Sequence, residues 1–230
     1  MDGTEHARLG PMLPTLAQVL NTLAHELRTP VAVSQGYLKL YLEGRLQSPE
    51  DQRKALQQTA DAVARLSGLC SEVGAVAALA ESPGTPVREK VPVELLLKDL
   101  RAAAELEKVT WTGDLTPTQV IEATSRRDLS RAFSLIARAA VDDARGRPVK
   151  IEVVSDGAAG LRVHAGVEPG ITALASGPDG DGATPFDLVR GGRGLSLIWA
   201  TFVLNQNHVH TWQHSAEKAA VGFQFRSSQA

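Results

Sequence analysis

The chain has 230 residues and a formal net charge of -2, and 43% of its residues are hydrophobic. This composition predicts one or two folded domains, and the near-neutral charge gives no general attraction to nucleic acid or an anionic membrane. The single cysteine, Cys70, excludes an intrachain disulfide and any multi-cysteine metal site. We find no apolar run long enough to span a bilayer and no signal-peptide pattern, so we expect a soluble cytoplasmic protein.

The N-terminal third predicts a hairpin of two long helices. The first is expected over 14–42 with Gly44 as its stop, and the second begins at Ser48-Pro49 and runs to about Ala80. One hairpin encloses little core, so we expect it to form a dimeric four-helix bundle or to fold back on the rest of the chain. The heptad-like spacing that predicts lengthwise packing is carried by Leu16, Leu20, Leu23 and Leu27, and then by Leu56, Ala60, Val63, Leu66, Cys70, Val73 and Ala77.

The composition changes after the hairpin. Residues 81–86 are rich in proline and glycine and are predicted to link a hairpin domain, 11–80, to a second domain, 87–230. Helix and strand patterns alternate in the second domain, which predicts an α/β sandwich with helices on one face of a mixed sheet, and an α+β fold class for the whole chain. The predicted helices are 93–106, 126–144 and 194–206, and the predicted strands are 86–91, 108–112, 119–123, 148–155, 160–166, 208–214 and 219–226.

The clearest functional signal is the hexapeptide His25-Glu26-Leu27-Arg28-Thr29-Pro30 in the first helix. At about 100° per residue, His25 lies opposite the leucine spacing and is predicted to face solvent, with Thr29 one turn later on the same face. Glu26 lies beside His25 and could orient the imidazole or accept its proton. Pro30 removes a backbone hydrogen bond inside the helix, which indicates a helix that bends.

This hexapeptide resembles the H-box of two-component sensor histidine kinases, in which the histidine is phosphorylated on a dimeric helical hairpin. A second long helix, a linker and an α/β domain follow in the order typical of that family. The resemblance implies that His25 is the phosphoacceptor, that Glu26 is the base and that Thr29 helps to place a hydrolytic water. It also implies a homodimer whose partner is the receiver domain of a response regulator.

The resemblance implies ATP and Mg²⁺ as cofactors of the second domain. Gly192-Arg193-Gly194-Leu195 resembles the family's glycine turn before a helix, where the glycines allow close backbone approach and the helix N-terminus favours an anion. Residues 176–184 resemble the mobile lid, and Pro185-Phe186 resembles the phenylalanine box.

Two other landmarks of the ATP site are missing. No asparagine lies between Asn21 and Asn205, so the predicted helix 126–144 lacks the residue that holds Mg²⁺ in the family. The Asp-x-Gly-x-Gly turn is replaced by residues 166–170, with Gly166 where the family has an aspartate that reads adenine. We therefore predict an impaired ATP site, in which the remaining candidate cofactor-binding residues are Gly170, Gly192 and Gly194.

Two further patterns of charged or titratable residues lie in the second domain. One is a row of arginines on the predicted helix 126–144, which either binds an anion or acidic partner or is merely solvated; its members are Arg127, Arg131, Arg138 and Arg145. The other is an alternation of histidines without a neighbouring carboxylate or cysteine, so we predict no metal site there; these are His208, His210 and His214.

We predict a phosphorelay protein of the histidine-kinase type. A phosphoryl group would move between His25 and a response-regulator aspartate, without a nucleic-acid or membrane partner. Two alternatives stay open: an active but divergent ATP-dependent histidine kinase, and a non-enzymatic module that binds a response regulator.

Overall fold

The computed structural model describes residues 15–81, 87–102, 109–155, 161–188 and 194–225. Their contacts divide them into two compact units. Of the described residues, the hairpin unit contains the two long N-terminal helices together with residues 194–199, and the sheet unit contains the rest. The limits of the predicted domains, 11–80 and 87–230, and of the linker, 81–86, remain predictions. Residues 82–86 of that linker lie outside the described residues.

The first helix of the hairpin unit, α1 (Leu16–Leu42), has a local signal at each end. Thr15 and Gln18 form a capping box, in which the Thr15 Oγ1 accepts from the Gln18 N–H and the Gln18 side chain accepts from the Thr15 N–H. After the helix, Gly44 has a φ of +65°, a conformation that glycine adopts without strain. The predicted helix and its stop at Gly44 are confirmed.

The second helix, α2 (Pro49–Glu81), also begins where the sequence predicts. The Ser48 Oγ accepts a hydrogen bond of 3.0 Å from the Asp51 N–H, which satisfies one of the free donors of the first turn. The buried row of α2 is displaced by one residue from the predicted row. Its members recur every seven residues and are Ala55, Ala62, Leu69 and Val76.

Several apolar side chains that were predicted to be buried in the hairpin are therefore exposed. On α1, Leu16 is 73% exposed and Leu20 is 53% exposed, and on α2, Leu56 and Val63 are each 49% exposed. The buried positions of α1 are instead Thr22, Glu26 and Pro30. A two-helix hairpin buries one stripe of each helix, so a second apolar stripe remains for another partner.

Composition gives α2 a further property. By length and composition alone, Pro49–Leu79 could cross a membrane, with a mean hydropathy of 1.4 in its most apolar part and 17% of that part buried. The sequence was predicted to contain no apolar run long enough to span a bilayer. Core helices of water-soluble proteins pass the same test, so this property assigns no location.

Helices and strands alternate in the chain after the hairpin. The elements are β1 (Glu89–Pro92), α3 (Val93–Arg101), β2 (Thr110–Gly113), β3 (Val120–Ala123), α4 (Arg126–Asp143), β4 (Lys150–Ser155), β5 (Leu161–Gly166), α5 (Glu168–Leu174), β6 (Ala183–Pro185), α6 (Gly194–Gln206), β7 (Val209–His214) and β8 (Ala220–Phe225). β1 pairs with β3 in antiparallel fashion, and the other six described strands form a mixed sheet in the order β2-β4-β5-β8-β7-β6, in which β2 and β4 are parallel. The predicted α/β sandwich is confirmed.

The main core of the sheet unit lies between α4 and one face of the mixed sheet. Ser125 caps α4 by accepting from the Asp128 N–H. Phe133 of α4 is fully buried, and its ring lies 4.1 Å from that of Phe223 and 5.9 Å from that of Phe225, measured between ring centroids. Such aromatic pairs add specific geometry to the burial of apolar area.

The short α5, which the sequence did not predict, lies against the opposite face of the sheet. Leu174 of α5 packs with Trp212 and Ala220. Because successive strand residues point to opposite faces, Ala220 and Phe223 of β8 belong to different faces. Helices thus cover both faces of the sheet, whereas the sequence predicted helices on one face.

Gly222 of β8 makes room for the largest side chain on the α5 face. It lies between His164 and Trp212 on the neighbouring strands, and a Cβ atom added at Gly222 would overlap the Trp212 ring. We expect Gly222→Ala to lower the free energy of unfolding by about 1–3 kcal/mol, measured by urea denaturation, because the indole would have to move.

Gly36→Ala is the matched control for this substitution. Gly36 lies within α1, and an added Cβ would meet no heavy atom within 4 Å among its described surroundings. We expect this variant to be more stable by up to about 1 kcal/mol, since alanine favours helix over glycine. An unchanged free energy of unfolding for Gly222→Ala would contradict the packing argument.

Candidate functional site

The predicted phosphoacceptor lies near the middle of α1. His25 and Thr29 are both exposed, one helical turn apart. The exposure agrees with the prediction, although α1 buries the stripe formed by Thr22, Glu26 and Pro30 and not the leucine row from which the exposure was predicted. A reaction partner could therefore approach the imidazole from solvent.

Glu26, the neighbour of His25 in sequence, lies in a different environment. Its side chain is only 5% exposed, and its Oε1 accepts a hydrogen bond of 3.3 Å from the Leu195 N–H in the first turn of α6. Both residues belong to the hairpin unit. The first amides of a helix have no partners within it, so the carboxylate satisfies one of them.

The electrostatics of Glu26 are governed by its burial. Desolvation raises the pKa of the Glu26 carboxyl above its ordinary value, while the N–H groups of Leu195 and Gly194 lower it to a smaller extent. The charge of Glu72 raises this pKa further, and the charge of Arg65 lowers it. A raised pKa means that the ionised form is disfavoured here, so stability decreases as the pH rises through the folded-state pKa.

Pro30 does not end the helix. It is buried, and α1 continues through it to Leu42. Because proline has no N–H, the Glu26 carbonyl lacks its usual partner within the helix. The bend that the sequence indicates at this position remains a prediction.

The three candidate cofactor-binding glycines are not equivalent in the structure. Gly194 is the first residue of α6 and is buried, and Gly192 lies outside the described residues. Gly170 lies within α5 in the sheet unit, where an added Cβ would overlap the Ala220 Cβ and come within 2.9 Å of the Glu217 Cγ. The close packing of α5 on β8 thus explains why position 170 is a glycine.

The helix that lacks the expected asparagine is α4. Arg138, near the predicted position of that residue, is bound to Asp142 with 2.9 Å between Nε and Oδ1. The row of arginines is therefore partly neutralised by acidic neighbours on the same helix. Arg127, another member, is exposed at the start of α4.

A surface cleft of about 460 Å³ lies at the start of α4 in the sheet unit. Arg126 donates two hydrogen bonds, of 2.6 and 2.8 Å, to the Asp99 carboxylate, and its backbone N–H donates to Glu89. The charged groups of the cleft thus bind one another, and their mixed signs favour no class of ligand. The lining residues are Glu89, Asp99, Ser125, Arg126, Arg127 and Ser130.

Among the described residues, no group of three or more His, Cys, Asp or Glu side chains is arranged to hold a metal ion. The C-terminal histidines have other contacts. The His208 Nε2 lies 3.0 Å from an Arg88 nitrogen, and the His214 Nδ1 accepts from the Glu217 N–H at 3.0 Å.

The contact between Glu26 and Leu195 is the feature of the site that sequence reasoning missed. The two residues are 169 positions apart. The motif at Glu26 suggested a role beside His25, and the glycine turn before α6 suggested an anion site. No signal in the sequence connects the two, because only folding brings these segments together.

Comparison with known proteins agrees with the hairpin. Residues 15–78 match the family described as the His Kinase A (phospho-acceptor) domain. The match includes the hexapeptide that begins at His25 and nearly all of α2. The hairpin thus matches a phospho-acceptor domain along nearly its whole length, and it is followed by an α/β sheet domain.

Solved structures with a similar fold include the Acinetobacter baumannii histidine kinase AdeS, at 18% identity and a TM-score of 0.58, covering 89% of this chain and 98% of that one. Full-length ShkA in complex with AMPPNP is 18% identical, with a TM-score of 0.48, covering 94% of this chain and 47% of that one. A histidine kinase from Burkholderia phymatum STM815 is 17% identical, with a TM-score of 0.36, covering 90% and 98%. The chain thus contains a hairpin similar to the phospho-acceptor domain of histidine kinases, and its fold is similar to that of a histidine kinase.

Proposed function

We propose that this protein is a phosphorelay component in which His25 exchanges a phosphoryl group with the aspartate of a response-regulator receiver domain. The exposed imidazole on a phospho-acceptor hairpin is the observation that supports this proposal. A lone pair of a ring nitrogen attacks phosphorus, and a P–N bond forms as the P–O bond of the aspartyl phosphate breaks. The electron pair of that bond stays on the aspartate carboxylate, and the other ring nitrogen loses its proton to a base or to water.

Glu26 and Thr29 are the proposed assisting residues. Thr29 shares the exposed face with His25, which suits a residue that places a water for hydrolysis of the phosphohistidine. Glu26 is one residue from His25, but its carboxylate is bound to the first turn of α6. For Glu26 to act as the base, its side chain must turn from the buried stripe of α1 toward the exposed imidazole.

We propose that the ATP site is impaired. The residues present fit a bound Mg²⁺–ATP poorly, because the sequence lacks the asparagine and the aspartate that the family uses. The structure adds that Gly170 is required by packing against Ala220, and that Arg138 pairs with Asp142. No step of the proposed transfer passes through a nucleotide. The prediction of Gly170, Gly192 and Gly194 as nucleotide contacts therefore concerns at most a residual site.

A homodimer in the form of a four-helix bundle is part of this proposal. The half-exposed apolar residues of α1 and α2, described above, suit burial against a second copy of the hairpin. The proposal also places the protein in the cytoplasm without nucleic-acid or membrane partners, and the net charge of -2 gives no general attraction to either polyanionic partner.

We expect Leu20→Glu to weaken the dimer by more than about tenfold, since it would place a charge in the apolar contact. Analytical ultracentrifugation over a concentration series measures this effect. Asn21→Glu is the matched control: the neighbouring side chain is also exposed on α1 but lies outside the apolar spacing. A parent chain that sediments as a monomer at all concentrations would contradict the dimer.

Two incubations with labelled phosphate separate the proposal from its alternatives. In the first, the protein meets ATP and Mg²⁺; in the second, it meets receiver domains that already carry the label. An acid-labile, base-stable label on His25 from the receivers alone supports the relay. A label from ATP indicates a divergent kinase, and receiver binding without any label indicates a non-enzymatic module.

A further inference from the structure

We propose that Glu26 is an autoinhibitory latch: its carboxylate is bound to the first turn of α6 and is thereby withdrawn from His25. This inference rests on the proposed function, because it adds regulation to the residue that would assist His25. The hydrogen bond to Leu195 and the assistance of phosphoryl transfer at His25 both require the Glu26 carboxylate. The hairpin unit as described is therefore in a resting state, and release of α6 residues 194–199 precedes efficient transfer.

The geometry of the latch is that of a buried, directed contact. Glu26 is 5% exposed, and the Leu195 side chain beside it is fully buried. Thr22 and Pro30, one turn before and after Glu26, are buried on the same stripe of α1. Glu26 is thus the charged group at the centre of a buried stripe of α1, and the first turn of α6 meets this stripe at Glu26.

The same helical period that buries Glu26 exposes His25. Successive residues of a helix differ by about 100° in direction, so a Glu26 side chain directed to α6 is directed away from the exposed imidazole. The Leu195 N–H uses only Oε1, so it is the direction of the side chain, and not its capacity to accept hydrogen bonds, that keeps the carboxylate from the imidazole. Binding at α6 therefore blocks the base without covering the nucleophile.

Some interactions favour the ionised Glu26 carboxylate at this position and others disfavour it. The free amides and the positive end of the α6 dipole favour a carboxylate at this position. Burial opposes the charged form, and the negative charge of Glu72 opposes it as well. A contact balanced in this way suits a switch better than a permanent structural tie.

The existence of the latch is tested by amide hydrogen exchange without any phosphoryl donor. We expect the Leu195 amide to exchange at least about tenfold faster in Glu26→Ala than in the parent, because its charged acceptor is lost. Arg28→Ala is the control, since Arg28 is exposed on the same helix. Equal exchange in the parent and Glu26→Ala overturns the latch and leaves the proposed function standing.

Its inhibitory role is tested with Leu195→Pro, which removes the N–H donor at a position in the first helical turn where proline is tolerated. Leu195→Ala is the matched control, since it also shortens the buried side chain but keeps the N–H. We expect a phosphorylated receiver domain to label His25 about tenfold faster in Leu195→Pro than in Leu195→Ala. The gain should disappear when Glu26→Gln is added to Leu195→Pro.

The outcomes separate the two proposals. Equal labelling rates in the proline and alanine variants overturn the inhibitory role, as does a gain that survives Glu26→Gln. Absence of label on His25 in every variant overturns the proposed function, and with it the inhibition.

Discussion

His25→Gln is expected to lose the phosphoryl label received from a phosphorylated receiver domain by more than about 10³-fold. The imidazole nitrogen is the proposed nucleophile, and the glutamine amide has no comparable lone pair to form the P–N bond. The loss is measured by incubating each variant with the labelled receiver domain, separating the proteins under alkaline conditions and counting the label on this protein.

Two controls make this result specific to the imidazole. His25 is exposed, so we expect His25→Gln to keep its free energy of unfolding within about 0.5 kcal/mol of the parent. His208→Asn should keep the label. His208 is an exposed histidine with a φ of +55°, a conformation that asparagine tolerates. A label that persists in His25→Gln would assign the phosphoacceptor to another residue.

The second large effect is an acid-dependent loss of stability that arises from His164. This side chain is 1% exposed, and neither ring nitrogen has a hydrogen-bond partner among the described residues. Its ring packs edge-on against Trp212, with 6.0 Å between centroids. Burial lowers the pKa of His164 from 6.5 to about 4; the nearby charge of Glu152 raises it and that of Arg162 lowers it.

The direction of the pH effect follows from this lowered pKa. Below pH 6.5 the unfolded chain binds a proton at His164, whereas the folded chain does so only near pH 4. Unfolding is therefore favoured as the pH falls through this window. The expected loss is about 3 kcal/mol at pH 4 and about 2 kcal/mol at pH 5, and it is absent above pH 6.5.

Urea denaturation at pH 7 and pH 5 measures the loss in the parent and in His164→Leu. The variant should lose most of the difference between the two pH values, because leucine keeps an apolar side chain and removes the titrating group. His25→Gln should retain the difference. The pKa of Glu217, which Arg147 holds below its ordinary value, affects stability mainly below this range. An identical pH difference in the parent and His164→Leu would contradict the assignment.

The sequence predicted the elements whose signals are local. A serine followed by proline and two acids begins α2, and a glycine with positive φ follows α1, because caps and turns depend on neighbouring residues. The exposure of His25 was also predicted, although the stripe that α1 buries is not the leucine row that the prediction used. These predictions need no knowledge of what the rest of the chain does.

Other features depend on distant contacts, which sequence patterns do not report. Gly170 fits closely against β8, and its assignment as a nucleotide contact stays a prediction. The buried row of α2 lies one residue from the predicted row, because the choice between two apolar stripes depends on the neighbouring helix. His164, expected only as part of a strand, becomes a titrating core residue because Gly222 leaves space beside it for Trp212.

The sequence by itself thus determined the hairpin, the α/β alternation and the place of His25 on α1. All of these depend on residue type and short-range periodicity. Only the tertiary structure decided the partner of Glu26, since the Leu195 N–H reaches it through folding across 169 positions. A side chain's chemistry is set by its residue type, but the group that it binds is set by which distant backbone the core brings beside it.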